Sequence, residues 1–81
     1  MPKKYKNFFP SYKINRIPNI NRMKKDNLVL WNIISRVIQN SEEPMNYLEL
    51  MKILKKHEFS KEVSKSFLVH CFNVGWLYEV E

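Results

Sequence analysis

From Asp26 onward the apolar residues recur at helical spacing. Leu30, Ile33, Ile34, Val37 and Ile38 fall on one face with Trp31 at its border, and Asn32, Ser35, Arg36 and Gln39 lie opposite. The pattern predicts a first amphipathic helix over 27–40, capped by Asp26. Ser41-Glu42-Glu43-Pro44 interrupts it, because the residue before a proline is driven out of the helical region. Asn46 stands three residues before Glu49, the spacing of a capping box, and Tyr47, Leu50, Met51 and Leu54 then mark the inward face of a second helix over 47–57. Lys52 and Lys56 point outward. After the break Glu58-Phe59-Ser60, Ser60 can cap a third helix. Its apolar stripe is Val63, Phe67, Cys71 and Val74, flanked by Leu68 and His70. Gly75, the only glycine in the chain, follows where a left-handed terminating residue is usually glycine. Trp76 to Val80 is rich in strand formers, with Trp76, Tyr78 and Val80 on one face and Leu77 and Glu79 on the other. These phases predict one core made of Trp31, Leu50, Leu54, Phe67, Leu68 and Leu77.

The first 25 residues follow no such period. Pro2, Pro10 and Pro18, with Asn7, Ser11, Asn15, Asn19 and Asn21, leave no room for a helix of three turns. An extended or disordered arm over 1–25, ahead of a helical domain over 26–81, is the expected division. Yet Tyr5, Phe8, Phe9, Tyr12, Ile14, Ile17 and Ile20 make the arm too apolar for an ordinary solvated tail. Either Ile14 to Ile20 lies across the domain as an added strand, or the arm docks on a partner.

Charge sharpens this division. The 81 residues carry a formal net charge of +6, and the length suits one small domain rather than a multi-domain enzyme. Residues 1–25 hold Lys3, Lys4, Lys6, Lys13, Arg16, Arg22, Lys24 and Lys25 with no acid, a charge of +8; the remainder, with six bases and all eight acids, carries −2. A basic arm on a mildly acidic body is therefore expected. The longest apolar run, Leu28 to Trp31, is far below the roughly 18 residues a membrane span requires, and no signal-peptide core stands at the start; the acid-free arm also suits a mitochondrial presequence, a reading weakened by its few arginines and its prolines. A soluble intracellular protein is the expectation, placed in cytoplasm, nucleoid or nucleus, or in the host cell if viral. The single cysteine, Cys71, accords with a reducing compartment.

The order helix, break, helix, three-residue turn, helix, glycine, strand resembles the winged helix-turn-helix superfamily over 26–81. Met45 stands where that fold has a short first strand, Tyr47 to Lys56 as its second helix, Ser60 to Val74 as its recognition helix, and Gly75-Trp76-Leu77 toward the wing. Leu68 and Cys71 occupy apolar positions that such domains commonly carry seven and four residues before the glycine. The resemblance implies a mainly α, three-helix winged-helix-like domain with a short C-terminal strand and a reduced wing. It also implies nucleic acid as partner, DNA ahead of RNA. A plain three-helix bundle with a terminal strand fits the same pattern. Only one strand fits before Glu81, so a partner strand has to come from near Met45, from the arm or from another chain.

Candidate contacts to nucleic acid are the eight basic residues of the arm, joined by Lys52, Lys55 and Lys56, and by Lys61, Lys65, Ser66 and Asn73 on the third helix. Lysines interleaved with aromatic residues offer phosphate neutralisation together with ring faces for bases. The same basic and aromatic residues also suit an anionic membrane surface, a reading weakened by the prolines and by the lack of an amphipathic helix in the arm. The outer face of the third helix also holds Glu62, Val69 and Phe72, which with Tyr78 suit a protein interface better than a base-reading surface. Phe72 is expected to pack on the terminal strand, the arm or a second chain, and the helix is not expected to read sequence.

Catalytic, metal and cofactor chemistry finds no motif. Cys71 and His70 are neighbours whose side chains diverge by about 100° on a helix, His57 and His70 lack zinc spacing, and one glycine cannot build a phosphate loop. Two functions follow. The first is a small non-enzymatic nucleic-acid-binding protein making mainly electrostatic contact. The second is a winged-helix interaction module, as a homodimer or in a larger complex, including a viral or mobile-element inhibitor of host machinery.

Overall fold

The computed structural model describes residues 9–80. In chain order these form strand β1 (Ser11–Ile14), a 3-10 turn (Ile20–Arg22), helix α1 (Lys25–Asn40), strand β2 (Met45–Asn46), helices α2 (Tyr47–Lys56) and α3 (Lys61–Asn73), and strand β3 (Leu77–Val80). The fold is mainly helical, with the strands forming one antiparallel sheet in the order β2-β1-β3. Its central strand comes from the N-terminal segment.

That placement revises the division at residue 25. Tyr12 faces Met45 on one side and Glu79 on the other, and Ile14 faces Leu77. Alternation along β1 turns Tyr12 inward, and it is a member of the core at 8% exposure. The strand expected over Ile14 to Ile20 therefore lies earlier. Past Ile14 the backbone turns to other partners, Pro18 cannot donate to a ladder, and Ile17 is 70% exposed. Of the arm's aromatic and basic residues, Lys3, Lys4, Tyr5, Lys6 and Phe8 lie outside the described residues.

Local chemistry accounts for the helix ends. α1 begins one turn-residue before Asp26: Lys24 is its N-cap, without a side-chain cap bond, and Asp26 sits in the first turn, where a carboxylate favours the helix dipole. Asn46 does cap α2, accepting from Leu48 N–H, and Ser60 caps α3, accepting from Val63 N–H at 3.1 Å. α3 closes in a Schellman motif. Gly75, at φ +83°, donates to Phe72 C=O at 3.2 Å and Trp76 to Cys71 C=O at 2.9 Å. Trp76 then sets its ring edge-on to His70, with centroids 5.2 Å apart.

The core gathers Leu30, Trp31, Ile34 and Ile38 of α1, Leu50 and Leu54 of α2, Phe67, Leu68 and Cys71 of α3, and Leu77 of β3 around Tyr12. All six residues expected to cluster do so. On α3 the buried stripe is Ser64, Phe67, Leu68 and Cys71, so Val63 is displaced outward, 47% exposed. Ser64 tolerates burial because its Oγ donates to Ser60 C=O at 2.8 Å.

Phe67→Ala should cost about 3–5 kcal/mol, since a buried ring lost from so small a core leaves a cavity; denaturant melts of the variant against the parent measure it. Truncation of residues 1–14 removes β1 as well as charge, so it should abolish cooperative thermal unfolding, followed by circular dichroism. Ser11–Ile14, placed by the sequence pattern in an arm ahead of the domain, is thus the central strand of its sheet.

Candidate nucleic-acid interface

Helices α2 and α3 enclose an open groove of about 1300 Å³ against the start of β1 and the end of β3. Lys52 and Lys55 border it from α2, Lys61 and Lys65 from α3. Its apolar lining includes Met45, Tyr47, Met51 and Phe59, all partly buried against the core. Phe9 lines one end, stacked on Tyr47 with ring centroids 5.7 Å apart and planes 3° from parallel. Two acids, Glu43 and Glu49, also reach the rim. Among the described residues, none of the side-chain hydrogen bonds uses a lysine ammonium.

Backbone constraints hold the two ends of this groove. Asn46 Nδ2 donates to Phe9 C=O at 3.2 Å and Tyr47 N–H to Pro10 C=O at 2.8 Å, fixing Phe9 beside the start of α2. Between α2 and α3 the chain reverses through Glu58 at φ +68°, with Phe59 N–H bonded to Leu54 C=O at 3.1 Å. That turn directs Phe59 into the groove wall and starts α3 with Lys61 at the rim.

The basic residues anticipated from sequence separate into distinct groups. Lys52, Lys55, Lys61 and Lys65 come together; Lys56 is exposed on α2 but does not line the groove. Arg16 is committed elsewhere: its guanidinium donates to Val74 C=O at 3.0 Å, and Asn15 Nδ2 to Gly75 C=O at 2.9 Å, so both satisfy carbonyls at the end of α3. Lys13 stands opposite Tyr78 on the outer sheet face, and Arg22, Lys24 and Lys25 are exposed around the start of α1.

On α3, Asn73 is roughly 80° from Lys65 and 120° from Lys61 about the helix axis, so the three do not present one surface. Ser66 belongs to another recess of about 360 Å³, bordered by Asn27, Glu62, Val63 and His70. The exposed face of α3 is centred on Glu62, Ser66, Val69 and Asn73. Phe72 meets the N-terminal strand: its ring lies 6.1 Å from that of Tyr12, while the residue stays 44% exposed. Val69 and Tyr78 are also exposed, at 47% and 43%.

Sequence reasoning counted Phe9 among the ring faces of the arm but did not join it to the lysines of α2 and α3, and it missed Phe59. Phe9 was visible as an arm aromatic and Phe59 as a break residue, but only tertiary pairing sets both beside α2. Among the described residues, no group of three or more His, Cys, Asp or Glu is arranged to hold a metal ion, and no helix is long and apolar enough to cross a membrane. Comparison with family models, curated proteins and solved structures finds no match to this chain.

Two buried acids give the fold a pH signature. Burial pushes the Cys71 thiol up from 9.0 to about 12, against a smaller lowering by a backbone hydrogen bond. The Tyr12 phenol is also raised, first by burial, then by the charges of Glu79 and Tyr47. Each group binds its proton more tightly in the folded state, so its contribution is complete below the ordinary value and is lost as pH climbs toward the folded one. Melting temperature should therefore fall as pH rises from about 9 toward 12. In Cys71→Ala combined with Tyr12→Phe the slope over that range should flatten.

Proposed function

We propose that this protein is a small, non-enzymatic nucleic-acid-binding module whose contact surface is the lysine-bordered groove between α2 and α3. The observation that carries the reading is the convergence of Lys52, Lys55, Lys61 and Lys65 from two helices around one apolar, aromatic-containing depression. A cleft lined largely by one sign of charge, with low-dielectric walls, concentrates the field and draws a polyanion into it. Phe9 joins the groove directly to residues 1–8, which add Lys3, Lys4 and Lys6 without an acid.

A winged-helix-like arrangement is part of this proposal. It is supported by the order α1, β2, α2, α3, β3, with β1 supplying the strand that pairs with β3. The contact is displaced from the exposed face of α3, where Glu62 would repel phosphate and Val69 offers nothing to a base edge. Affinity is thus mainly electrostatic and weakly dependent on sequence.

The test is a salt titration of binding by the intact chain. Replacing all four groove lysines by alanine should weaken binding at least ~10-fold and reduce the log–log salt slope by about 3, as fewer counterions are released. Arg36→Ala, exposed on α1 away from the groove, serves as the control. Unchanged affinity and slope in the lysine variant would remove the groove from the mechanism.

A further inference from the structure

We propose that the groove takes a single strand of nucleic acid, with phosphates along the lysine rim and a base against the ring of Phe9. This rests on the nucleic-acid reading above and adds the form of the ligand.

Shape supplies the first reason. A duplex is read by a convex element that enters its roughly 12 Å major groove. The convex candidate here, the outer face of α3, holds Glu62, Ser66, Val69 and Asn73. The cations are instead on a concave surface. A groove bordered by lysines on both sides accommodates one backbone and its bases more readily than a cylinder that can touch only the rim.

Ring geometry supplies the second. Phe9 is offset-stacked on Tyr47, which covers one of its faces, yet it remains 39% exposed at the groove's end. A ring held by a second ring, its carbonyl fixed by Asn46, is a preorganised platform for an unpaired base. Bases in a duplex are stacked on each other and cannot use it.

Charge decides among occupants. The segment preceding Phe9 has three lysines and no acid, so its charge has the same sign as the rim. A second copy docked by the same groove would set lysines against lysines. A polyanion with planar apolar groups complements both the rim and the floor.

Fluorescence anisotropy with the intact chain tests this, using labelled oligothymidylate, oligouridylate and a mixed-sequence duplex of equal length, with polyglutamate as competitor. Both single strands should bind roughly tenfold more tightly than the duplex. Phe9→Leu should lose roughly tenfold for the single strands and leave the duplex unchanged, whereas Phe9→Trp, which keeps a ring, should retain affinity. Thermal melts of both variants verify that they fold. Duplex binding equal to that of single strands, or a Phe9→Leu variant without effect, would overturn the single-strand inference and leave the broader reading intact. Binding of one single strand only would narrow the ligand to DNA or RNA and support the inference. Failure to bind any of the three, or polyglutamate competing at equal charge concentration, would overturn both readings.

Discussion

The pairing of Ser11–Ile14 with strands on both sides is the constraint on which the tertiary structure depends. β2 and β3 do not touch each other; each is paired only through β1. The same segment closes contacts 60 residues apart, where Asn15 Nδ2 reaches Gly75 C=O, and 37 apart, where Asn46 reaches Phe9 C=O. Tyr12 also supplies a core ring that contacts Phe72 on α3. One short strand thus caps the end of one helix, braces the start of another and closes the core beneath the sheet. Such non-local pairing must overcome loop-closure entropy before its contacts form, so the helices can assemble ahead of it but the sheet cannot.

Much of the helical fold was legible because its signals are local. Hydrophobic period located α1, α2 and α3, Asn46 and Ser60 marked two N-caps, and Gly75 marked the Schellman turn that ends α3. The turn ending α2 is chemically the same motif, with Glu58 N–H bonded to Lys55 C=O at 2.9 Å and Phe59 N–H to Leu54 C=O. It carries Glu58 where glycine is usual, at a cost of roughly 1–2 kcal/mol for the left-handed backbone, and so left no sign in the sequence. The phase of α3 was misread by one position for a related reason. Val63 is the more apolar residue, yet Ser64 occupies the buried position because its hydroxyl is satisfied within the helix.

β1 was the least legible element. Tyr12 and Ile14 favour a strand and alternate with Ser11 and Lys13, but four residues are too short a run to stand out, and their strand state is decided by Met45, Asn46 and Leu77–Val80. Reading this segment as part of an arm offered its charges to nucleic acid. Arg16 shows the consequence, since its guanidinium is held at the carbonyl end of α3, where a cation also favours the helix dipole.

The candidate site was legible in its residues but not in its arrangement, and the difference lies in how far charge acts. Net charge assigned most of the expected polyanion contact to residues 1–25, at +8, with the lysines of α2 and α3 as further candidates in a remainder of −2. At physiological ionic strength, however, exposed charges are screened beyond about 8 Å, so a phosphate responds to its immediate neighbours rather than to a domain's total. Lys52, Lys55, Lys61 and Lys65 converge on one groove, while Asp26, Glu62 and Glu79 do not line it. Glu43 and Glu49 are the acids that remain there, and four lysines outnumber them. The packing of α2 against α3 therefore creates, from a segment of opposite net sign, a local cluster of four lysines that net charge did not disclose.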